Sequence, residues 1–164
     1  MRRSAPAEKG ESPAKRLAAF IAKFDPAIGT LVRSARVSLR RRLPTAIELV
    51  YDNYNALVIG FGSTERASDA IVSLAVYAKG VNLYFIQGAQ LSDPHHVLKG
   101  SGNQGRFIRI EDAAALETSA IATLLSAAVE QAHPPLPMTG HGYTVIKSAS
   151  ARQRPRRPAG GRSC

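Results

Sequence analysis

The chain reads as an α+β domain, an antiparallel β-sheet of four to five strands covered by helices on one face. Three observations predict it. Between residues 56 and 86, apolar, β-branched and aromatic runs alternate with short polar turns, which is the composition of buried strands. Stretches with the 3.6-residue apolar period of amphipathic helices lie before and after that region. The helix-like and strand-like segments are grouped rather than alternating, which favours a sheet with helices on one side over a doubly wound α/β fold.

Residues 1–11 carry no apolar period and are expected to be disordered. Ser12-Pro13 then has the form of a helix cap followed by proline at the first helical position. Leu17, Phe20, Ile21 and Phe24 fall on one helical face. Asp25-Pro26 repeats the cap signal, and Ile28, Val32, Ala35, Leu39 and Leu43 form the stripe of a second helix. Arg40, Arg41 and Arg42 close it, favourably placed against the helix dipole. Pro44 ends that helix. Thr45 to Tyr54 reads as a short third helix, with Ile47, Val50, Tyr51 and Tyr54 on one side.

Strands follow at 56–62, 70–78, 81–86 and 106–110, joined by a loop around Gln87–Pro94 and a glycine-rich connection, Gly100 to Gly105. The clearest helical pattern is the last: Ile121, Leu124, Leu125, Ala128, Val129 and Ala132, stopped by His133-Pro134-Pro135. The domain is thus expected to span 12–132. A Pro/Gly-containing extension follows at 133–149, in which 142–148 either joins the sheet as an edge strand or stays outside it. Residues 150–164 read as a basic, disordered tail.

At 164 residues one domain is expected. The only cysteine is Cys164, so no intrachain disulfide forms. The apolar run Leu17–Ala22 is too short for a signal-peptide core or a membrane span, which points to a soluble, cytoplasmic protein with no membrane partner. The net charge of +10 is unevenly placed. Residues 1–43 hold 11 Lys/Arg and 3 Asp/Glu, residues 44–141 hold 5 and 9, and residues 142–164 hold 6 and none. A mildly acidic middle is flanked by strongly basic ends.

Several stretches together resemble the YdhG-like family, a bacterial domain of unknown function with some members described as frataxin-like iron chaperones. They are Glu48-Leu49-Val50-Tyr51-Asp52-Asn53-Tyr54-Asn55-Ala56-Leu57, Val81 through Pro94 with its Gly-Ala-Gln-Leu-Ser-Asp-Pro end, Leu98-Lys99-Gly100-Ser101-Gly102, and Arg106-Phe107-Ile108-Arg109-Ile110. The likeness covers roughly residues 15–132. It implies a frataxin-like α+β fold and, for function, iron binding or delivery to an iron-accepting protein.

Five sets of residues are candidates. On a helix, Glu48 and Asp52, four apart, would share a face and offer oxygen ligands to Fe(II), the reading the resemblance favours; a solvated helix face is the plainer alternative. Asp93, His95 and His96 combine carboxylate and imidazole ligands in one loop, although Asp-Pro is also an ordinary turn starter. Gly100–Gly105 lacks the Gly-Lys-Ser/Thr of a phosphate cradle and leads into a strand, so it reads as a connection. Tyr51, Tyr54, Tyr77 and Tyr84 would line a small-ligand pocket beside the sheet or simply pack on it. Arg152, Arg154, Arg156 and Arg157 would bind nucleic acid non-specifically or an acidic protein, or fold back on the acidic middle. No arrangement of nucleophile, base and orienting group is visible, and a non-enzymatic role is expected.

Overall fold

The computed structural model describes residues 11–158. Ser12 caps the first helix, α1 (Pro13–Ala22), its hydroxyl accepting from the Lys15 amide at 3.1 Å. Asp25-Pro26 starts α2 (Pro26–Arg42), where the Asp25 backbone carbonyl, not its carboxylate, takes the Gly29 amide. Five of the strands are β1 (Ile47–Asp52), β2 (Leu57–Gly62), β3 (Ala70–Tyr77), β4 (Gly80–Phe85) and β5 (Arg106–Ile110). Then come α3 (Ser119–Glu130), capped by the Thr118 hydroxyl, and β6 (Thr144–Ala149).

The sheet is mixed and has six strands, in the order β5-β4-β3-β2-β1-β6. Pairs from β1 to β5 are antiparallel, whereas β6 runs parallel to β1. The expected four to five antiparallel strands become six because residues 47–52, expected as part of a helix, form β1, and the sheet is mixed because its β6 edge is parallel. After α3 the chain returns along the ends of β2 and β1 to the far edge. The Pro134 carbonyl accepts from Ser63 Oγ, the Pro137 carbonyl accepts from Thr45 Oγ1, and the Gly142 amide donates to the Pro44 carbonyl. A strand delivered that way meets β1 in the same direction. Residues 142–148 thus resolve in favour of the edge strand.

Residues 45–54 are not a helix. Ile47, Leu49 and Tyr51 alternate with Glu48, Val50 and Asp52, and β2 and β6 pair with them on both sides. An isolated segment with those apolar positions satisfies either period; the two ladders decide for the strand.

The registers place Val50, Ile59, Leu74 and Leu83 in one row on the helix-facing side of the sheet, with Leu57, Val76, Val81 and Ile110 in the next. These residues are buried in one core with Leu17, Phe24, Val32, Leu39, Leu124 and Leu125 from the helices. The opposite side carries Leu49, Gly60, Ser73, Tyr84 and Phe107 in one row, and Tyr51, Val58, Ala75, Asn82 and Arg109 in the next. Residues 150–158, expected as part of a disordered tail, pack against the domain; 1–10 and 159–164 lie outside the described residues.

Truncating Ile59, fully buried at the middle of the sheet, to alanine should cost about 2–5 kcal/mol in chemical denaturation. Val37→Ala, at an α2 position 59% exposed, should change stability by less than about 0.5 kcal/mol. Equal effects at the two positions would contradict this assignment of core and surface.

Candidate functional site

Both acids of β1 lie on its helix-facing side and are buried. Neither is a free ligand. Glu48 accepts from Arg36 Nε and Arg36 Nη2 in a fork, from Arg40 Nη1 at 3.0 Å and from Thr144 Oγ1 at 2.7 Å. At the other end of the strand, about 13 Å away at ~3.3 Å per residue, Asp52 accepts from Lys23 Nζ and from Arg156 Nη2, each at 2.7 Å. Burial alone would raise the Asp52 pKa. The hydrogen bonds from Lys23, Gln153 and Arg156, with the Lys23 charge, outweigh it and hold the carboxyl below the usual aspartate range.

The proposed iron pair is thereby corrected: on a strand these carboxylates stand at opposite ends of one element, each already satisfied by two cations.

Asp52 also gathers the C-terminal segment. Its backbone carbonyl accepts from the Ser150 amide and from Gln153 Nε2. Arg156, expected on a mobile tail, is buried; its guanidinium donates to the Asn53 and Tyr54 carbonyls as well as to the carboxylate, and sits 5.5 Å from the centre of the Phe24 ring. Arg157 donates to the Ala22 and Lys23 carbonyls at the end of α1. Among the described residues, the tail thus folds back on an acid of the middle region, one of the readings open from sequence, with Arg156 as the buried anchor.

The other tail cations stay at the surface. Arg152 is exposed, and Arg154 stands over the half-exposed Tyr54 ring at 5.9 Å. Arg16 and Lys23 both approach the Phe20 ring. Lys23 also bonds Gln153 Oε1 at 2.9 Å. Cations more than a hundred residues apart in sequence therefore meet on one surface, along the β1–β6 edge of the helical layer.

The remaining candidates separate. Asp93 is a turn residue: its two carboxylate oxygens accept the Val97 and Leu98 amides, and its carbonyl accepts the His96 amide. His95 and His96 point into solvent from that turn. Among the described residues no three His, Cys, Asp or Glu side chains group as metal ligands. The Gly100–Gly105 loop is stitched by Arg106, which donates to the Gly105 and Gly102 carbonyls, and Gly100 and Gly102 have φ of 111° and 91°, where a side chain would be strained.

Tyr51, Tyr77 and Tyr84 share the side of the sheet away from the helices, but Tyr54 lies in the β1–β2 turn beside Arg154, so the four do not line one pocket. Burial raises the pKa of Tyr51. A cleft does exist elsewhere, between β3, the β4 end and the α3 end. It is lined by Asp69, Ile71, Phe85, Gln87, Gln131 and His133 among others. Sequence reasoning missed it because its walls come from three separate segments with no local motif.

The chain matches no family model, and no curated protein or solved structure shows significant similarity to it. Among the described residues no helix is long and apolar enough to cross a membrane.

Removing Asp52 leaves the buried Arg156 without its counter-charge, and removing Arg156 leaves the buried Asp52 with only the half-exposed Lys23. Arg156→Met and Asp52→Ala should each cost about 3–5 kcal/mol in urea denaturation. Their double variant should cost clearly less than the sum of the two, and strict additivity would show that the pair is not coupled. The depressed Asp52 pKa sets the pH dependence. Its contribution is complete above the unfolded-state value of about 3.9 and is lost as pH falls through the lower folded-state value. Melting temperature measured between pH 5 and pH 2 should therefore fall less in Asp52→Asn than in the parent.

Proposed function

We propose that this protein is a non-enzymatic interaction module that binds nucleic acid through its phosphates, along the basic surface where α1, α2 and the C-terminal segment meet. One observation carries the reading. Each buried carboxylate of β1 is met by two cations, Glu48 by Arg36 and Arg40 and Asp52 by Lys23 and Arg156. The strand thus leaves a surplus of positive charge at both of its ends. Arg16, Arg154 and Arg157 add to it at the Asp52 end, where Arg157 lies 3.9 Å from the Asp25 carboxylate.

Phosphate recognition needs such a surplus. It also predicts weak sequence preference, since backbone contacts position a nucleic acid without reading its bases. The uneven charge of the sequence, basic at both ends and mildly acidic between, supports the same reading. The iron-delivery role implied by the YdhG-like resemblance would have to use carboxylates other than Glu48 and Asp52, because every charged oxygen of that pair already accepts a hydrogen bond from a cation.

The test must spare the structural cations. Deleting residues 150–164 would remove Gln153 and Arg156 and leave the buried Asp52 with Lys23 alone, so loss of binding would not separate unfolding from a lost contact. Charge reversal at Arg16 and Arg154 leaves that network in place. Fluorescence anisotropy with a labelled 20-base-pair DNA should show log Kd rising with log salt. The Arg16→Glu/Arg154→Glu variant should weaken binding at least tenfold and reduce the slope by about 1.8, at ~0.9 per phosphate contact. Failure to bind at 50 mM salt, or binding indifferent to the double reversal in a protein that still melts cooperatively, would remove this function.

A further inference from the structure

A second site is built at the other end of the strands, independent of the basic surface. The cleft between the start of β3, the end of β4 and the end of α3 has a volume of about 260 Å³. Ile71, Phe85 and Ala128 form an apolar, buried part of its lining, and Leu91 and Ala132 continue it. This lining is bordered by Ser68, Asp69, Gln87, Gln90, Gln131 and His133.

The polar groups are held in place and retain unused capacity. Thr64 Oγ1 donates to Asp69 Oδ2 at 2.7 Å, which fixes that carboxylate through one oxygen and leaves Oδ1 as an acceptor. Gln131 donates through Nε2 to the Gln87 carbonyl at 3.2 Å, which leaves its Oε1 as an acceptor. The Gln87 and Gln90 carboxamides meet only at the 3.5 Å limit of a hydrogen bond. His133 engages the Ala132 carbonyl through Nδ1, and its Nε2 remains.

This inventory selects a ligand class. Asp69 disfavours an anion. The cation nearest to it, Arg66, is 78% exposed and 3.9 Å from the Asp69 carboxylate, so no guanidinium or ammonium is aimed into the cleft to take a phosphate. Carboxamides present a donor and an acceptor side by side, matching the edges of heterocycles that carry both. The apolar walls suit a flat ring, and the volume, at the small end for ligand sites, suits one heterocycle rather than an extended molecule.

We infer that this cleft binds a nucleobase, seated against Ile71, Phe85 and Ala128, with its N–H groups toward Asp69 Oδ1 and its ring acceptors toward the carboxamides. The base can come from a free nucleoside or from a single strand, and the chemistry of the site is the same for both. The inference does not rest on phosphate binding by the basic surface, whose tested cations Arg16 and Arg154 do not line the cleft.

Titration of the full-length, isotope-labelled chain by NMR decides it. Adenosine, guanosine and cytidine, each to 10 mM, are compared with a 12-base single-stranded DNA and with spermidine. Shifts concentrated at the amides of Asp69, Ile71, Gln87 and Gln131 are expected with at least one nucleoside. Asp69→Asn, which keeps the acceptor for Thr64, should weaken that response about tenfold, and Ala132→Leu, which fills the cleft, should abolish it. A response of these amides to the single strand but to no nucleoside would keep the nucleobase and assign it to a polymer. Because Arg16→Glu/Arg154→Glu leaves the cleft untouched, its nucleoside response should equal the parent's, so failure of either site is read separately. The inference is overturned if neither nucleosides nor the strand move these amides, if the shifts map elsewhere, or if spermidine alone moves them.

Discussion

The carboxylate of Asp52 is the constraint on which the rest of the structure hangs. A charge taken out of water costs several kcal/mol unless it is paired and hydrogen-bonded. Asp52 can sit at the end of β1, in the core layer, only because Lys23 arrives from the end of α1 and Arg156 from the C-terminal segment. Those partners are 29 and 104 residues away in sequence. The pairing therefore fixes where α1 ends against the sheet and where the chain goes after β6. Glu48 does the same for α2 through Arg36 and Arg40, and for β6 through Thr144. One strand, with an acid near each end, thus tethers both N-terminal helices and the last strand.

The side of the sheet away from the helices shows how the fold manages an unroofed surface. Tyr77 and Tyr84 are 41% and 37% exposed. They are interleaved with Ser73, Asn82 and Arg109 rather than forming one apolar patch. Long side chains also lie across the backbone there. A Cβ on Gly80 would come within 1.7 Å of Arg109 Nη1, and one on Gly105 within 1.9 Å of the Tyr84 hydroxyl. Both contacts are with the far ends of side chains that lie across neighbouring backbone. The tyrosines are thus half-covered residues of a solvated face, which explains why they do not assemble a pocket.

Much of the fold was legible because its signals are local. Ser12-Pro13, Asp25-Pro26 and the stripe from Ile121 to Ala128 announce helices, and the strands from Leu57 to Ile110 announce themselves by composition. Residues 45–54 were not legible, since Ile47, Val50, Tyr51 and Tyr54 keep helical spacing while every second residue also alternates. The usual guide, acids outside, pointed the wrong way, because Glu48 and Asp52 are buried by cations that only tertiary structure supplies. The tail failed for a related reason. Arg152, Arg154, Arg156 and Arg157 look equivalent by composition, and nothing in the spacing marks Arg156 as the one that Asp52 and Phe24 enclose. The cleft at Asp69 brings together residues as far apart as 68 and 133, so no motif could show it.

The two cations on Asp52 are not equivalent, and the difference links stability to the proposed binding. The Arg156 side chain is 5% exposed, tied to the Asn53 and Tyr54 carbonyls and covered by Phe24, so it neutralises the carboxylate in a low-dielectric setting that salt screens little. The Lys23 side chain is 41% exposed and holds a compact charge on a flexible stem. A phosphate arriving at this surface can share Lys23 while Arg156 keeps Asp52 paired. A single cation in that position would have to choose between the fold and the ligand. With two, the buried partner carries the fold, and the half-exposed one is the cation that the proposed phosphate binding would share.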